Sequence, residues 1–586
     1  MFDFLGLTTL SILAKCKEYI DRLYPGSGFE LERIPIDDAE TYGCFQNANT
    51  AAVFQFESEG MRQLLRQAKP DRLEDLVALN ALYRPGPMDL IPSFIARKFG
   101  REKVEYLDER MAPVLAETYG IMVYQEQVMR VAQVVGGYSL GGADLLRRAM
   151  GKKNVEEMKR QRAVFVKGAG ERGVKENVAT EIFNLMEKFA GYGFNKSHAA
   201  AYSYVAYQTA FLKTHYTACF MAANLCMVMD QGDKMKALLD DAAANGIDVL
   251  PPDVNQSEWF FTAPDEQHIR FGLGGIKGMG RQQVDAMMET RAKDGPFKDI
   301  FDLTARVSGI STRILEALVR VGAFDSVNPD RGYLFGNVSQ AISAGQTVAA
   351  SVGQSSLFGD EGDESPRVVS WKDAPSWSDR RKLIEEKGSL GFWLSGHLFD
   401  LYREEAQHYS SQTLAQLQPS REPAKLVGVV TGIRVIQGKR GRMGAVTLDD
   451  GSAVAEVMCF SEAWERLKNK FQVDSVVCVE GRVRYDEFSK RMSVSVDNAL
   501  TLDEFRAASA TCLRIELDAR EKRDIAKVDD VLQKARSENG LTVALQVQTK
   551  KASGTVYLPF TVSGDVDALK QDLRNTKEVV SAEVLY

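Results

Sequence analysis

Hydrophobic residues recur at three- to four-residue intervals through roughly the first 220 residues of the chain. The spacing is clear over residues 61–69, 125–135 and 176–189, and it is typical of helices that bury one face. Gly and Pro residues separate these stretches, as at residues 84–87 and 136–137. The pattern predicts one large α-helical region.

A different pattern begins near residue 246. A glycine-rich turn at residues 275–280 leads into a predicted helix at 282–291, and a second helix is predicted at 311–321. This order is typical of a helix-hairpin-helix motif, in which backbone N–H groups and a helix N-terminus face a DNA phosphate without reading the base sequence. A glycine turn without a ligand is the alternative. The candidate DNA-binding residues are Lys277, Gly278 and Gly280.

Runs of β-branched residues dominate the chain from about residue 424 to 502. A helix is predicted at 461–470, between the third and fourth runs, and this order of strands and helix is that of an OB-type barrel. The last stretch, 508–586, is interpreted as a small α+β module. The five predicted strands cover residues 426–436, 444–448, 453–460, 475–484 and 492–496.

Residues 343–366 are rich in Ala, Ser, Gly and acidic side chains and show little apolar periodicity. They are interpreted as a linker. Gln354, Leu357 and Phe358 stand out within it, because an isolated apolar pair on a linker suits docking into an apolar pocket of a partner.

Composition narrows the class of protein. The chain has 586 residues, 45% hydrophobic and 26% charged, which excludes a mainly disordered or fibrous protein and suggests about four domains. No apolar run approaches the roughly 20 residues of a membrane span, and no leader is apparent, so a cytoplasmic location and no membrane partner are expected. Seven scattered cysteines indicate buried free thiols, and five unpaired histidines do not indicate a metal site.

The net charge of −7 hides a basic stretch. Residues 130–215 contain 14 Lys and Arg against 7 Asp and Glu, so this part of an acidic chain could hold a polyanion. Helix faces that are merely solvated are the alternative. The densest cluster is formed by Arg147, Arg148, Lys152 and Lys153. Arginine forks match phosphate oxygens, so these four are candidates for binding a nucleoside triphosphate or a DNA backbone, with a solvated helix end as the alternative.

Two further segments contain candidate site residues. Asp3 lies between Phe2 and Phe4, and a buried strand carboxylate needs a cation, so it is a candidate catalytic and metal-ligating residue; a plain surface carboxylate is the alternative. Residues 191–198 combine glycines, aromatic rings and polar donors ahead of a helix predicted to start near Ser197. Such a segment suits a base and a phosphate, or simply a tight turn with core aromatics. Its candidate nucleotide-binding residues are Asn195, Lys196 and His198.

In combination, these segments resemble the alpha subunit of bacterial DNA polymerase III, the C-family of replicative polymerases. The resemblance extends over essentially the whole chain, and several long motifs in one order are more specific than any single one. The motifs are FDFLGL at residues 2–7, TAAVFQFES at 50–58, ALYRPGP at 81–87, YGIMVYQEQVM at 119–129, GGADLLRRAMGKK at 141–153, EKFAGYGFNKSHAAAYS at 187–203 and LPPDVN at 250–255.

The resemblance implies a multidomain α+β fold with large α-helical fingers, a helix-hairpin-helix region, an OB-type barrel and a small α+β C-terminal domain. The expected order is the end of the palm and start of the fingers at 1–60, fingers at 61–245, a helix-hairpin-helix duplex-binding region at 246–342, a linker with a clamp-binding peptide at 343–366, a connecting helical segment at 367–423, an OB-fold at 424–504 and a tau-binding-like domain at 505–586.

The resemblance also implies a reaction: template-directed nucleotidyl transfer from dNTPs to a primer 3′-hydroxyl, with two Mg²⁺ ions. Asp3 matches the third catalytic carboxylate of the palm, and Arg147 and Arg148 match the basic motif for the incoming triphosphate. Gln354, Leu357 and Phe358 match a peptide for the beta sliding clamp. The expected partners are primer-template DNA, dNTP, the beta clamp, the tau subunit of the clamp loader and the other polymerase III core subunits.

The chain departs from the family in one respect. The family's other two metal-binding aspartates belong to an N-terminal half that this sequence does not contain. Truncation or a misplaced start is therefore expected, and this chain alone is predicted not to polymerise DNA. A non-catalytic scaffold that binds DNA and the clamp, and an error-prone paralogue of the same family, are the alternatives.

Overall fold

A computed structural model describes most of the chain, as two compact units. One comprises Met1–Gly275 with Gly280–Asp285, and the other Ile276–Met279 with Ala286–Tyr586. Five of the predicted site residues, Asp3, Lys153, Gln354, Leu357 and Phe358, lie outside the described residues. The described residues are 6–152, 155–190, 193–352, 371–410, 412–438, 441–486, 491–520, 525–538, 540–562 and 566–586.

The first unit is mainly helical, which confirms the helical region predicted from the hydrophobic spacing. Strands β1 (Asp248–Leu250) and β2 (His268–Arg270) form a short parallel pair, and helix α14 (Arg281–Asp294) begins in this unit and ends in the other. The helices before α14 are α1 (Thr8–Leu23), α2 (Ala39–Gln46), α3 (Glu59–Ala68), α4 (Leu73–Leu82), α5 (Ile91–Lys98), α6 (Ala112–Leu115), α7 (Gln125–Val134), α8 (Leu140–Lys152), α9 (Val155–Glu171), α10 (Glu176–Ala190), α11 (Lys196–His215), α12 (Thr217–Cys226) and α13 (Gly232–Ala244).

Two hydrophobic cores hold helices α2 to α11. The first includes Phe45 and Tyr207, on α2 and α11, and the second includes Phe165 and Phe183, on α9 and α10, whose ring centroids lie 5.6 Å apart. Full burial of each such ring contributes roughly 1.5–3 kcal/mol. Tyr124 belongs to the first core, while α7, which starts at the next residue, packs in the second. The start of α7 is therefore fixed where the two cores meet.

The second unit begins with helices that pack closely on one another. Helix α18 includes the first ten residues of the predicted linker, so this part of the linker prediction is wrong. Its small residues allow close approach rather than flexibility: a Cβ built on Gly345 would lie 2.4 Å from the Thr304 carbonyl oxygen. The helices are α15 (Ile300–Arg306), α16 (Thr312–Arg320), α17 (Arg331–Gly336), α18 (Val338–Val352), α19 (Asp379–Leu390) and α20 (Arg403–Ala406).

Five strands close into a barrel in the order β3-β4-β5-β7-β6. All neighbouring pairs are antiparallel except β5 with β7, and helix α21 (Ser461–Leu467) lies between β5 and β6 in sequence. This topology confirms the OB-type barrel predicted from the strand pattern. The strands are β3 (Ala424–Gly438), β4 (Gly441–Asp449), β5 (Val454–Cys459), β6 (Val476–Asp486) and β7 (Arg491–Thr501).

A five-stranded sheet with two helices follows, which confirms the predicted α+β module. The strand order is β12-β8-β10-β11-β9. Helix α22 (Leu502–Ser509) joins β7 to this module, so the domain boundary expected between residues 504 and 505 falls inside a helix. The elements are β8 (Cys512–Asp518), α23 (Ala526–Lys534), β9 (Arg536–Ser537), β10 (Leu541–Gln548), β11 (Ser553–Val562), α24 (Val566–Arg574) and β12 (Val579–Leu585).

A buried arginine ties three helices of the second unit together. Arg506 of α22 donates to both carboxylate oxygens of Glu405 on α20, at 2.6 and 2.8 Å, and to Asp567 on α24 at 2.8 Å. Burial disfavours the charged guanidinium, but the hydrogen bonds with Glu405 and the charge of Asp567 outweigh it and raise the pKa of Arg506. The guanidinium therefore stays charged inside the fold.

Two global expectations can be compared with the structure. All seven cysteines are buried and free, as their scattered spacing predicts. None of the helices in the described part of the chain is long and apolar enough to cross a membrane.

Candidate nucleic-acid interface

The C-terminal part of α8 presents two arginines that share one carboxylate. Arg147 donates from Nε and Nη2 to Oδ1 of Asp144, at 3.0 and 2.8 Å, and Nε of Arg148 lies 2.8 Å from Oδ2. The hydrogen bonds from Arg147 and the charge of Arg148 hold the pKa of Asp144 below its usual range, so this carboxylate is charged at neutral pH. Two guanidiniums against one carboxylate leave a net positive charge at an exposed helix face.

The structure describes less of the two lysines of the same motif. Lys152 is the last residue of α8, so it continues the helix that carries Arg147 and Arg148. Lys153 lies outside the described residues. Both remain predicted contributors to the positive surface.

Gln125 connects the basic helix to the glycine-rich segment. Its side-chain oxygen accepts from Nη1 of Arg147 at 3.2 Å, and its Nε2 donates to the carbonyl of Gly193 at 2.9 Å. Its backbone N–H donates to the carbonyl of Phe194 at 2.9 Å. A Cβ on Gly193 would lie 3.1 Å from both Gln125 Cγ and Phe189 Cε1, so a side chain there would push these neighbours aside. The structure therefore brings the two motifs together through one residue.

The N-terminus of α11 is held by acidic side chains. Asn195 is the N-cap: its side chain accepts from the N–H of His198 at 2.8 Å and donates to Glu126 at 3.0 Å. The N–H of Lys196 donates to Glu126 at 2.9 Å, and its Nζ donates to Glu117 at 2.7 Å. The prediction of Ser197 as the cap is wrong by two residues. Asn195 and Lys196 are engaged with internal partners, which suits a role in positioning this segment.

His198 lines an aromatic cavity of about 440 Å³, and the arginines of α8 are not among its lining residues. Its ring centroid is 4.2 Å from that of Tyr202 and 5.3 Å from that of Phe194. The guanidinium of Arg84 covers the other ring, 3.7 Å from the Phe194 centroid, and burial lowers the pKa of Arg84. Asn80 also lines the cavity. Aromatic faces with amide groups suit a base, and the arginine suits a phosphate.

Four residues of this region were not predicted as site residues: Gln125, Glu126, Arg84 and Tyr202. Gln125, Glu126 and Arg84 belong to motifs that carry the family resemblance, but their partners are distant in sequence. Tyr202 follows His198 by four positions, the spacing that places two side chains on one face of a helix. That spacing is the feature of the sequence from which Tyr202 could have been predicted as a site residue.

The glycine turn before α14 is divided between the two units. In the second unit, Gly278 has a φ of +85°, and a Cβ there would lie 3.0 Å from Nε of Arg313. The N–H of Lys277 donates to the carbonyl of Ser389 at 3.0 Å. In the first unit, Gly280 directly precedes α14, which starts at Arg281. The turn needs glycine, but the Lys277 amide is already engaged, so DNA contact by these residues remains a prediction.

No group of three or more His, Cys, Asp or Glu side chains placed to hold a metal ion occurs among the described residues. Asp3, the predicted metal ligand, lies outside them, as do the predicted clamp-binding residues Gln354, Leu357 and Phe358.

A helical region with a basic and aromatic site, followed by an OB-type barrel, defines a multidomain nucleic-acid-binding protein. Family comparisons agree: residues 9–173 match the bacterial DNA polymerase III alpha subunit finger domain, 246–334 a helix-hairpin-helix motif, and 424–502 an OB-fold nucleic acid binding domain.

Curated relatives extend the match to nearly the whole chain. DNA polymerase III subunit alpha of Neisseria meningitidis serogroup A is 43% identical over 564 residues, which is 95% of this chain and 49% of the relative. The subunit of Escherichia coli K12 is 39% identical over 98% of this chain and 51% of its own length. The chain belongs to the family of bacterial DNA polymerase III alpha subunits and spans about half the length of the curated relatives it matches.

Proposed function

We propose that this chain is the fingers-to-C-terminal part of a replicative DNA-directed DNA polymerase. The reaction is template-directed nucleotidyl transfer from a dNTP to a primer 3′-hydroxyl. One observation carries the proposal: Gln125 joins Arg147 to the carbonyl of Gly193, and the adjacent Glu126 holds the N-terminus of α11. These hydrogen bonds hold a basic helix beside an aromatic segment, which supports assigning both to one site.

Arg147 and Arg148 bind the phosphates of the incoming nucleotide in this proposal. Asp144 holds both guanidiniums before the nucleotide arrives, which lowers the conformational entropy lost on binding. Phosphate oxygens then replace part of the Asp144 contact, and the fork geometry of arginine orients the triphosphate. Lys152 and Lys153 add positive charge to the same surface.

The aromatic cavity serves the base or template side of the site. His198 and Tyr202 offer ring faces for stacking, and Arg84 offers a cation beside Phe194. Asn195 and Lys196 position this segment through Glu126 and Glu117.

The intact family enzyme uses a divalent metal, and two Mg²⁺ ions are part of the proposal. Three carboxylates hold them in the family, and Asp3 is the one that this sequence supplies. One carboxylate does not make a two-metal site, so the residues of this chain alone do not fit the ions. The roles assigned to the described residues are therefore binding and positioning.

The remaining parts of the chain serve DNA and protein partners. Lys277, Gly278 and Gly280 contact the duplex backbone, and the barrel contacts single-stranded template. Gln354, Leu357 and Phe358 bind the beta sliding clamp, residues 505–586 bind the tau subunit, and other core subunits complete the assembly. The domain ranges given above and a cytoplasmic location belong to the same proposal.

Primer extension by the full-length subunit tests the nucleotide site. Changing Arg147 and Arg148 together to Ala should raise the KM for dNTP or lower kcat, with a combined loss in kcat/KM of about 100-fold, because two charge-assisted contacts to the triphosphate are lost. Arg160→Ala is the control, since Arg160 is exposed on α9 and pairs with Glu157. Unchanged kinetics in the double variant remove both arginines from the site. A full-length subunit that binds primer-template without extending it favours the scaffold alternative.

A further inference from the structure

A second arginine-rich pocket lies on the outer surface of the barrel. It has a volume of about 510 Å³ and is lined by Arg421, Arg482, Arg484, Tyr485 and Ser420. The three arginines come from two segments: β6 and the chain that leads into β3. All of the lining residues belong to the second unit.

The strand geometry fixes these side chains outside the barrel. Side chains alternate between the two faces of a strand, and Val483 is buried in the barrel core, so Arg482 and Arg484 point outward. The N–H of Ser420 donates to the Val483 carbonyl at 3.2 Å, which brings Arg421 alongside β6.

The neighbouring strand adds hydroxyl groups to this face. Ser495 and Ser493 of β7 lie directly opposite Arg482 and Arg484 in the antiparallel register. Directly opposed residues share a face of the sheet. Guanidinium forks and hydroxyls are the groups that proteins use to contact phosphate oxygens.

The pocket has little internal compensation for its positive charge. Nε of Arg482 lies 3.6 Å from Asp497, and both side chains are about half exposed. Arg421 and Arg484 form no ion pair with any residue that the structure describes. Like charges held together are unfavourable unless an anion joins them. Elsewhere in the same unit, half-buried Arg514 is paired with Glu583 at 2.7 Å.

We propose that this pocket binds the sugar-phosphate backbone of single-stranded DNA through its three arginines. The proposal rests on the proposed function, since it deepens the role of the barrel in contacting template. The face of OB barrels commonly used for nucleic acid is that of the second and third strands, here β4 and β5. The pocket lies on the fourth strand and is a separate contact that lengthens the bound segment.

A fluorescence anisotropy titration tests the proposal. It measures the affinity of this chain for a fluorescent oligo-dT of about 16 nucleotides at a series of salt concentrations. The Arg421→Ala/Arg484→Ala double variant should bind about tenfold more weakly, and its slope of log affinity against log salt should be less steep by about 1.4, because two phosphate contacts are lost. Arg514→Ala is the matched control in the same unit and should leave both quantities unchanged. Equal losses in the double variant and the control would overturn the proposal.

A second variant guards against misfolding. Arg421→Lys/Arg484→Lys keeps the charge but not the fork, so it should retain the salt slope and lose only about threefold in affinity. A Lys variant as weak as the Ala variant, with a reduced salt slope, counts against the assignment.

Further experiments distinguish single-stranded DNA from other anions as the ligand, and the barrel proposal from the fingers proposal. Inorganic pyrophosphate at matched ionic strength should not displace the oligonucleotide from the pocket; displacement that vanishes in the double Ala variant would assign the pocket to a free anion instead. A duplex competitor stronger than the single strand would also overturn the proposal. The Arg147→Ala/Arg148→Ala variant should bind oligo-dT through the barrel as the unmodified chain does, so a failed fingers site and a failed barrel pocket give different results.

Discussion

The two arginine-rich sites of this chain manage their charge in opposite ways. In the fingers, Asp144 contacts both Arg147 and Arg148. In the barrel, Arg482 lies 3.6 Å from Asp497, and Arg421 and Arg484 form no ion pair with any residue that the structure describes. Arginines that a carboxylate already holds are organised before their ligand arrives. Arginines without an ion pair attract a polyanion more strongly, above all at low salt. These properties fit the proposed roles of the two sites, which are to bind an exchanging nucleotide and to hold a template strand.

The two sites also differ in the hydrogen bonds that hold their residues in place. Side-chain hydrogen bonds from Gln125 and Glu126 join separate segments of the fingers. The barrel pocket rests on the backbone ladder between β6 and β7. We therefore expect a change in the strand backbone to affect the barrel site most, and a change of one charge to have a smaller effect at either site.

The largest expected effect is that of Gly481→Ala, which tests whether the barrel pocket depends on strand geometry. A Cβ on Gly481 would lie 2.4 Å from the Ser495 carbonyl oxygen, and a backbone atom cannot move aside as a side-chain tip can. We expect the free energy of local opening of β6 and β7, measured by amide hydrogen exchange, to fall by about 3 kcal/mol. Gly554→Ala, whose Cβ meets nothing within 4 Å, is the control. Equal protection in both variants would show that the strands adapt.

Ser493→Asp should make the barrel site resemble the fingers site. The new carboxylate lies opposite Arg484 on the outer face, where it pairs with the guanidinium and repels phosphate. We expect the affinity for oligo-dT to fall about tenfold, or about 1.4 kcal/mol, in the anisotropy titration. Ser553→Asp, on an exposed position of β11, controls for net charge. Unchanged affinity would place the bound strand elsewhere on the barrel.

Asp144→Asn is the reverse experiment in the fingers and should have the smallest effect. The variant keeps the shape of the side chain and removes its charge, so the affinity of the full-length subunit for dNTP, measured by nucleotide titration, should rise about threefold and depend more steeply on salt. Because the pKa of Asp144 is already below its usual range, the difference should be constant between about pH 6 and 8. Asp21→Asn, which removes a comparable pair with Lys17 on α1, is the control. Weaker binding would mean that Asp144 mainly orients the arginines.

The barrel was predictable because its information is local. β-branched runs predict strands and a turn at residues 449–451 predicts the hairpin, so the order of elements fixes the topology. The linker prediction failed over residues 343–352, because a helix of small residues has low apolar content whether it packs or not. Close packing of Gly345 on Thr304 depends on a second helix, which the local pattern does not contain.

The candidate site was predictable in part for the same reason. Arg147 and Arg148 are adjacent, so their charge density is visible in the sequence. The contact of Gln125 with Arg147 and that of Arg84 with Phe194 join residues 22 and 110 positions apart, so neither could be inferred from spacing. Asn195 and Ser197 are both good cap residues, and only the helix start distinguishes them.

Arg506 has a mechanical consequence. Its guanidinium joins α20, α22 and α24, and Tyr402 donates to the same Asp567 at 3.1 Å. The ion pairs of Arg506 therefore make the connection between the C-terminal sheet and the barrel rigid, so a force applied to the sheet is transmitted to the barrel. Changing Arg506 to Ala would leave Glu405 without this partner inside the fold, at a cost of about 3–5 kcal/mol. The barrel and the C-terminal sheet should therefore rotate as one rigid body when a partner binds either of them.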